Sequence, residues 1–167
     1  MITPIAITLS SESGSKEYDG TALTKPEVTQ TGEFVTGEGF VKDSLQATGS
    51  VLYAGEKATN TIVYELADGT KATNYTITKQ EGALEIKDRT EKYVLKLTAK
   101  GDSKPYNGAT QSVTGYDENW NGLSGYTISG VSAGASGKDA ATYATSFSGL
   151  ETAVIKDASG KDVTESV

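Results

Sequence analysis

The densest group of chemically capable side chains is the run Tyr116, Asp117, Glu118, Asn119, Trp120 and Asn121. An aromatic face flanked by amides and acids offers what a carbohydrate site needs, apolar stacking plus directional hydrogen bonds. Tyr116, Asn119, Trp120 and Asn121 are therefore the candidate glycan-binding set. The plainer reading, a loop Trp packed on its neighbours with a bonded indole N–H, takes precedence because a lone Trp carries little by itself. Asp117 and Glu118 are the nearest approach to a catalytic acid pair, but adjacent residues on a strand point to opposite faces and cannot flank one bond.

A second group, Asp157, Ser159 and Asp162 around Gly160, could direct oxygen ligands at a calcium ion across a sharp turn. Only Glu165 is available as the further acid, and the spacing is not that of an EF-hand loop, so a polar hairpin turn is preferred. Asp68-Gly69 forms a similar run without the second acid. A third possibility is an isopeptide bond between Lys and Asn on neighbouring strands, for which Lys16, Lys79, Asn60 and Asn74 are on hand. Nothing singles out a triad, and a buried Lys costs several kcal/mol unless its charge is removed or matched.

What is missing narrows the chemistry further. The chain has no Cys and no His, which removes disulfides, thiolate metal sites and the commonest general base and zinc ligand. No cofactor is expected, and without His or Cys the expected role is not enzymatic. A formal charge of -7 without any basic cluster argues against nucleic acid as a partner, because phosphate binding draws on grouped Lys and Arg. There is no apolar run of about 18 residues, so no membrane insertion is expected. Nor does a basic segment followed by an apolar one open the chain, so the expectation is a cytosolic protein or an internal piece of an exported one.

The elements that must carry these groups are strands. Apolar residues alternate instead of recurring at helical spacing, and Thr, Tyr, Val, Ile and Gly are abundant, which predicts an all-β protein. Candidate strands are Ile5 to Leu9, Val51 to Tyr53, Thr61 to Leu66, Tyr75 to Thr78 and Ala83 to Ile86. Further along they are Tyr93 to Leu97, Gln111 to Thr114, Tyr126 to Ser129, Thr142 to Phe147 and Ala153 to Ile155.

Sliding the chain along itself by 88 positions superposes Ile7 and Leu9 on Leu95 and Leu97, then Ser15, Lys16, Tyr18 and Gly20 on Ser103, Lys104, Tyr106 and Gly108. Asp19 becomes Asn107 in the same frame. Asp-Gly and Asn-Gly both accept the positive φ of a tight turn, so the exchange preserves the backbone demand. Tyr18 and Tyr106 could form a repeated stacking platform for sugar, but a Tyr beside a turn more often packs its ring on the core rim. The organisation predicted is two tandem small β domains, residues 1–88 and 89–167, joined at the charged run Lys87 to Lys92. An Ig-like sandwich is the first choice for each and a β-grasp-like fold the second. The opening strand should lie near the closing one, and the two domains end to end. The second copy has no counterpart of Tyr75 to Ile86 and is read as truncated in its C-terminal strands.

Two runs carry a family resemblance: Ser-Lys-x-Tyr-Asp-Gly-Thr at 15–21 and Asn-Tyr-Thr-Ile-Thr-x-x-x-Gly-x-Leu-x-Ile at 74–86. They resemble the YDG/MBG-type repeats of large bacterial surface proteins and adhesins. The second copy resembles a sister repeat more loosely, through Lys104 to Gly108, Gln111 to Tyr116 and Ala140 to Tyr143. The resemblance implies an exported, wall-attached or secreted array in which such modules act as stalk, spacer or adhesive units. It implies neighbouring repeats as partners, with host or dietary glycan or protein as further ones, and no enzyme activity.

Overall fold

A computed structural model describes residues 1–167. The protein is all-β, its strands gathered into several small sheets, with two three-residue 3-10 turns at Ala72–Asn74 and Leu150–Thr152. It divides into two compact units, Met1–Thr90 and Glu91–Val167.

The first unit holds ten strands: β1 (Ile5–Ser11), β2 (Gly14–Glu17), β3 (Leu23–Thr24), β4 (Val28–Thr31), β5 (Gln46–Ala47), β6 (Ser50–Val51), β7 (Lys57–Asn60), β8 (Ile62–Val63), β9 (Tyr75–Gln80) and β10 (Gly82–Lys87). β1 alternates as its sequence predicts, with Ile7 and Leu9 fully buried. It pairs antiparallel with β4 and parallel with β9, so the opening strand is flanked by one of the two closing strands. The last strand, β10, lies in a separate sheet, parallel to β2 and antiparallel to β7.

Two apolar clusters result. Ile7, Leu9, Ile62 and Tyr75 form one, wrapped by Val28, Phe34, Phe40 and Tyr64. Its rings meet edge-on or tilted, with Phe34 4.9 Å from Phe40 and 4.6 Å from Tyr75 between centroids, arrangements favoured by the ring quadrupole. β10 forms the other, burying Leu84 and Ile86 completely as it packs on β2, β3, β6 and β7.

The second unit holds seven strands: β11 (Lys96–Ala99), β12 (Gln111–Thr114), β13 (Tyr116–Asn119), β14 (Thr127–Ser129), β15 (Ser132–Gly137), β16 (Ser146–Ser148) and β17 (Val154–Lys156). They pair antiparallel as β11 with β13, β12 with β15 with β16, and β14 with β17. Only Ala133, Val163 and Val167 are buried apolar residues there, against nine in the first unit, so far less of this unit is closed from water.

The ladders of β1–β4 and β11–β13 coincide under the 88-residue shift. Thr8 opposite Thr31 becomes Lys96 opposite Asn119, and Ser11 opposite Val28 becomes Ala99 opposite Tyr116, with both intervening pairs matching.

Several predicted strands shift for identifiable reasons. Alternation predicts a strand over Tyr93 to Leu97, but pairing begins at Lys96. In the first unit Ile5, Ala6 and Ile7 are paired by β9, and no such strand flanks Tyr93 to Leu95. Thr142 to Phe147 contracts to Ser146–Ser148, because Tyr143 folds back over Gly137 and donates its hydroxyl to the Asp139 carbonyl at 3.2 Å. Strands β2, β4, β7, β13 and β15 arise where no apolar alternation announces them. The charged run at the boundary is not a loose linker: Lys87 ends β10, Arg89 donates to the Tyr18 carbonyl at 3.0 Å, and the Thr90 hydroxyl donates to Glu17 at 2.6 Å.

Candidate functional site

The expected loop around Trp120 is in large part strand β13, which corrects its geometry. Strand alternation puts Tyr116 and Glu118 on one face and Asp117 and Asn119 on the other. Tyr116 tilts against Phe147 at 5.9 Å, and Asp117 faces Lys100 at 3.7 Å. Trp120 follows the strand, half-buried, and its indole N–H donates to Glu118 at 2.8 Å. Its ring lies 6.1 Å from that of Tyr126 and walls a small apolar pocket of about 30 Å³ with Tyr93, Leu95 and Val167. Asn119 accepts the Asn121 backbone N–H at 3.0 Å, an Asx turn that holds Asn121 at a φ of 47°. Within this set the Trp120 indole N–H and the Asn119 amide oxygen are engaged in local bonds, and the Tyr116 ring packs on Phe147.

The acids at 157–162 are also engaged in turns. Asp157 Oδ1 accepts the Ser159 N–H at 2.9 Å, the Ser159 hydroxyl at 2.7 Å and the Lys161 N–H at 3.0 Å. Asp162 Oδ1 accepts the N–H and hydroxyl of Thr164 at 3.0 and 2.7 Å, and these bonds hold its carboxyl below the usual aspartate range. The two carboxylates point at different backbone segments.

At the two Asp/Asn-Gly turns the local geometry repeats. Asp19 accepts the Thr21 N–H at 2.9 Å and Asn107 accepts the Ala109 N–H at 3.0 Å, while Gly20 and Gly108 take φ values of 79° and 76°. Partial burial pushes the Asp19 carboxyl up, but Lys16 Nζ at 2.8 Å and the Thr21 bonds outweigh it, and the net shift is downward. The tyrosines that precede these turns differ completely: Tyr18 is 1% exposed and Tyr106 63%.

Of the residues considered for an isopeptide bond, Asn60 is the informative one. It is fully buried, accepts the Gly49 N–H at 3.0 Å, and donates to the carbonyls of Glu12 and Lys25 at 3.0 and 2.8 Å. Its amide thus ties three loops together. Lys79 Nζ donates to the Ile62 carbonyl at 2.7 Å over the Tyr64 ring, and Lys16 faces Asp19.

No family model, curated protein or solved structure matches the chain. Its two units serve instead as references for each other.

A cleft of about 510 Å³ lies in the second unit. Ser103, Lys104 and Tyr106 form one wall, Gln111 and Ser112 the floor of β12, and Ser136 with Tyr143 the other side. Shifted back by 88 positions, the first wall is Ser15, Lys16 and Tyr18. In the first unit that segment is strand β2, with Ser15 opposite Glu85 and Lys16 opposite Ile86 of β10. The advance signal is the looser repeat match of the second copy, whose runs Lys104 to Gly108, Gln111 to Tyr116 and Ala140 to Tyr143 supply much of the lining.

Proposed function

We propose that the chain is a non-catalytic structural and adhesive segment, a stalk or spacer of tandem Ig-like repeats within a bacterial surface protein. The observation that supports this reading most is the ladder shared by β1–β4 and β11–β13, residue for residue under one shift. A duplicated unit of this kind favours reach and cohesion, because each copy adds length without needing a chemical site.

Two further observations favour it over a binding role for the Trp120 region. The indole N–H already has a carboxylate partner, and the neighbouring amides are held in a turn. The carboxylates of Asp19, Asp157 and Asp162 likewise stabilise turns. The assignment to an exported, wall-attached or secreted array rests on the YDG/MBG-type resemblance at 15–21 and 74–86, and neighbouring repeats are its expected partners.

Titration of mucin and plant glycans against Trp120 fluorescence tests the spacer reading. An unchanged spectrum is expected. A saturable shift that disappears in Trp120→Ala would replace the spacer with a glycan-binding module. Labelling of intact producing cells with an antibody to the first unit tests the location, and staining confined to lysed cells would refute it.

A further inference from the structure

The turn Asn107-Gly108 carries a latent chemistry of its own. The backbone nitrogen that follows an Asn can attack the side-chain amide carbon, and a Gly nitrogen is the least hindered because no Cβ shields it. The structure leaves this step open. Asn107 and Gly108 are both exposed to water. Neither the Gly108 N–H nor the Asn107 side-chain nitrogen is hydrogen-bonded, so the attacking and departing groups are both free. A Cβ built on Gly108 would meet nothing nearer than the Tyr106 hydroxyl at 4.0 Å, so the approach is uncrowded.

One bond also favours the reaction. Asn107 Oδ1 accepts the Ala109 N–H at 3.0 Å. Negative charge builds on that oxygen as its carbon becomes tetrahedral, so the donor is worth more in the transition state than before it. The same bond holds the amide against the backbone and removes rotational freedom that the attack would otherwise have to give up.

No other asparagine combines these features. Asn121 precedes Gly122, but its side-chain oxygen accepts no donor. Asn119 accepts the Asn121 N–H at 3.0 Å, but it precedes the bulky Trp120 and is held in the β11–β13 ladder. Asn60 is buried with its amide fully bonded, and the Thr61 N–H behind it donates to the Thr59 carbonyl. Asn74 is followed by Tyr75, whose N–H donates to the Ala72 carbonyl. Nor does the turn depend on what lies beside the second unit. Asp19-Gly20, in the unit where β10 is paired with β2, has the same Asx bond and a Gly φ of 79° against 76°.

We propose that Asn107 is a self-modification site, at which the folded turn converts a side-chain amide into a carboxylate. The Gly108 nitrogen gives its proton to solvent base and bonds to Asn107 Cγ. The Cγ–Nδ2 bond breaks, and Nδ2 takes a proton and leaves as ammonia. Water then opens the cyclic imide: cleavage at Cγ yields Asp, and cleavage at the main-chain carbonyl yields isoaspartate, with the chain routed through Cγ. By either route ammonia is lost, water is added and a negative charge is gained. The Asp product gives the second turn the Asp-Gly of the first, three residues after Lys104 as Asp19 stands three after Lys16. This goes beyond the spacer reading and does not rest on it.

The test incubates the full chain at mildly alkaline pH, folded and in guanidinium chloride, and follows each asparagine by peptide mass spectrometry. In the folded chain Asn107 should convert about tenfold faster than Asn121, the factor that a donor worth about 1.4 kcal/mol in the transition state supplies. The lead should vanish in denaturant, where both are unrestrained Asn-Gly pairs. Equal rates in the folded chain, earlier conversion at Asn121, or a lead that survives unfolding would each overturn the proposal. Asn107→Ser keeps a side-chain oxygen for the turn and removes the amide. Its early release of ammonia should disappear, and release at the original rate would also overturn the assignment. Failure here leaves the spacer reading untouched, because the glycan titration and cell labelling decide that separately.

Discussion

Tyr18 and Tyr106 stand at the same point of a repeated sequence, each following a Ser-Lys pair and preceding a Gly-containing turn of nearly identical geometry. One is sealed in the core and the other is open to water. Tyr18 owes its burial to residues distant in the chain: its N–H donates to the Lys87 carbonyl, its carbonyl accepts from Arg89, and its ring stacks 6.5 Å from Tyr53. Tyr106 has no β10 beside it. A local motif therefore fixes the turn, while the strand that completes the sheet decides what the motif buries.

The sharpest way to break this comparison is to make the same deletion in both units. Leu9→Ala removes a fully buried side chain and is expected to cost about 2–5 kcal/mol. Leu97→Ala, at the corresponding half-buried position, should cost less than about half as much. Urea unfolding followed separately in each unit measures both, and equal costs would show that the pairing of β9 with β1 does not tighten the first core.

Asn60→Leu comes next. It strands the Gly49 N–H and the Glu12 and Lys25 carbonyls, and an unsatisfied buried polar group costs about 1–3 kcal/mol. A loss of about 3 kcal/mol from the first unit alone is expected by the same urea experiment. No fully buried polar residue occurs in the second unit, so no substitution there should have this effect.

Asp19→Asn gives the first turn the residue found in the second. The Asx bond to Thr21 survives, but the ion pair with Lys16 is lost, and since both side chains reach solvent the change should stay below about 1 kcal/mol. Its pH dependence has a definite sign. The Asp19 carboxyl is lower in the folded chain than its ordinary value of 3.8, so its contribution is present above that pH and is lost as pH falls through the folded value. Melting temperatures of wild type and Asp19→Asn should therefore converge in acid below about pH 3.8 and separate above it. Convergence at neutral pH instead would assign the shift to another group.

The smallest effect expected is no effect. Asp157 and Asp162 are engaged in separate turns, so a chelator should leave the melting temperature of the second unit unchanged. A fall on chelation would restore calcium to Asp157, Ser159 and Asp162.

The features legible in the sequence are those that depend on neighbours along the chain. Alternation in Ile5 to Leu9 announces β1, and Gln111 to Thr114 is β12 without adjustment. β13 escapes such a reading because its residues, Tyr116 to Asn119, show no apolar alternation and become a strand by pairing with β11. The Trp120 region looks like a convergent polar surface in sequence because adjacency does not reveal which face of a strand each side chain takes. The cleft is legible only in its parts: the runs Lys104 to Gly108, Gln111 to Tyr116 and Ala140 to Tyr143 stand out in sequence, but that they bound one concavity depends on tertiary structure.

Residue order alone is enough for the β character, the repeat spacing and the Asx turns at Asp19 and Asn107. Each depends on dihedral preferences or on bonds spanning two residues, and needs no distant partner. Which copy of the motif is closed depends instead on pairing in three dimensions. Burial of Tyr18, Leu84 and Ile86 requires a parallel strand brought back across most of the unit, and contacts of that range are set by what else in the chain is available to pair.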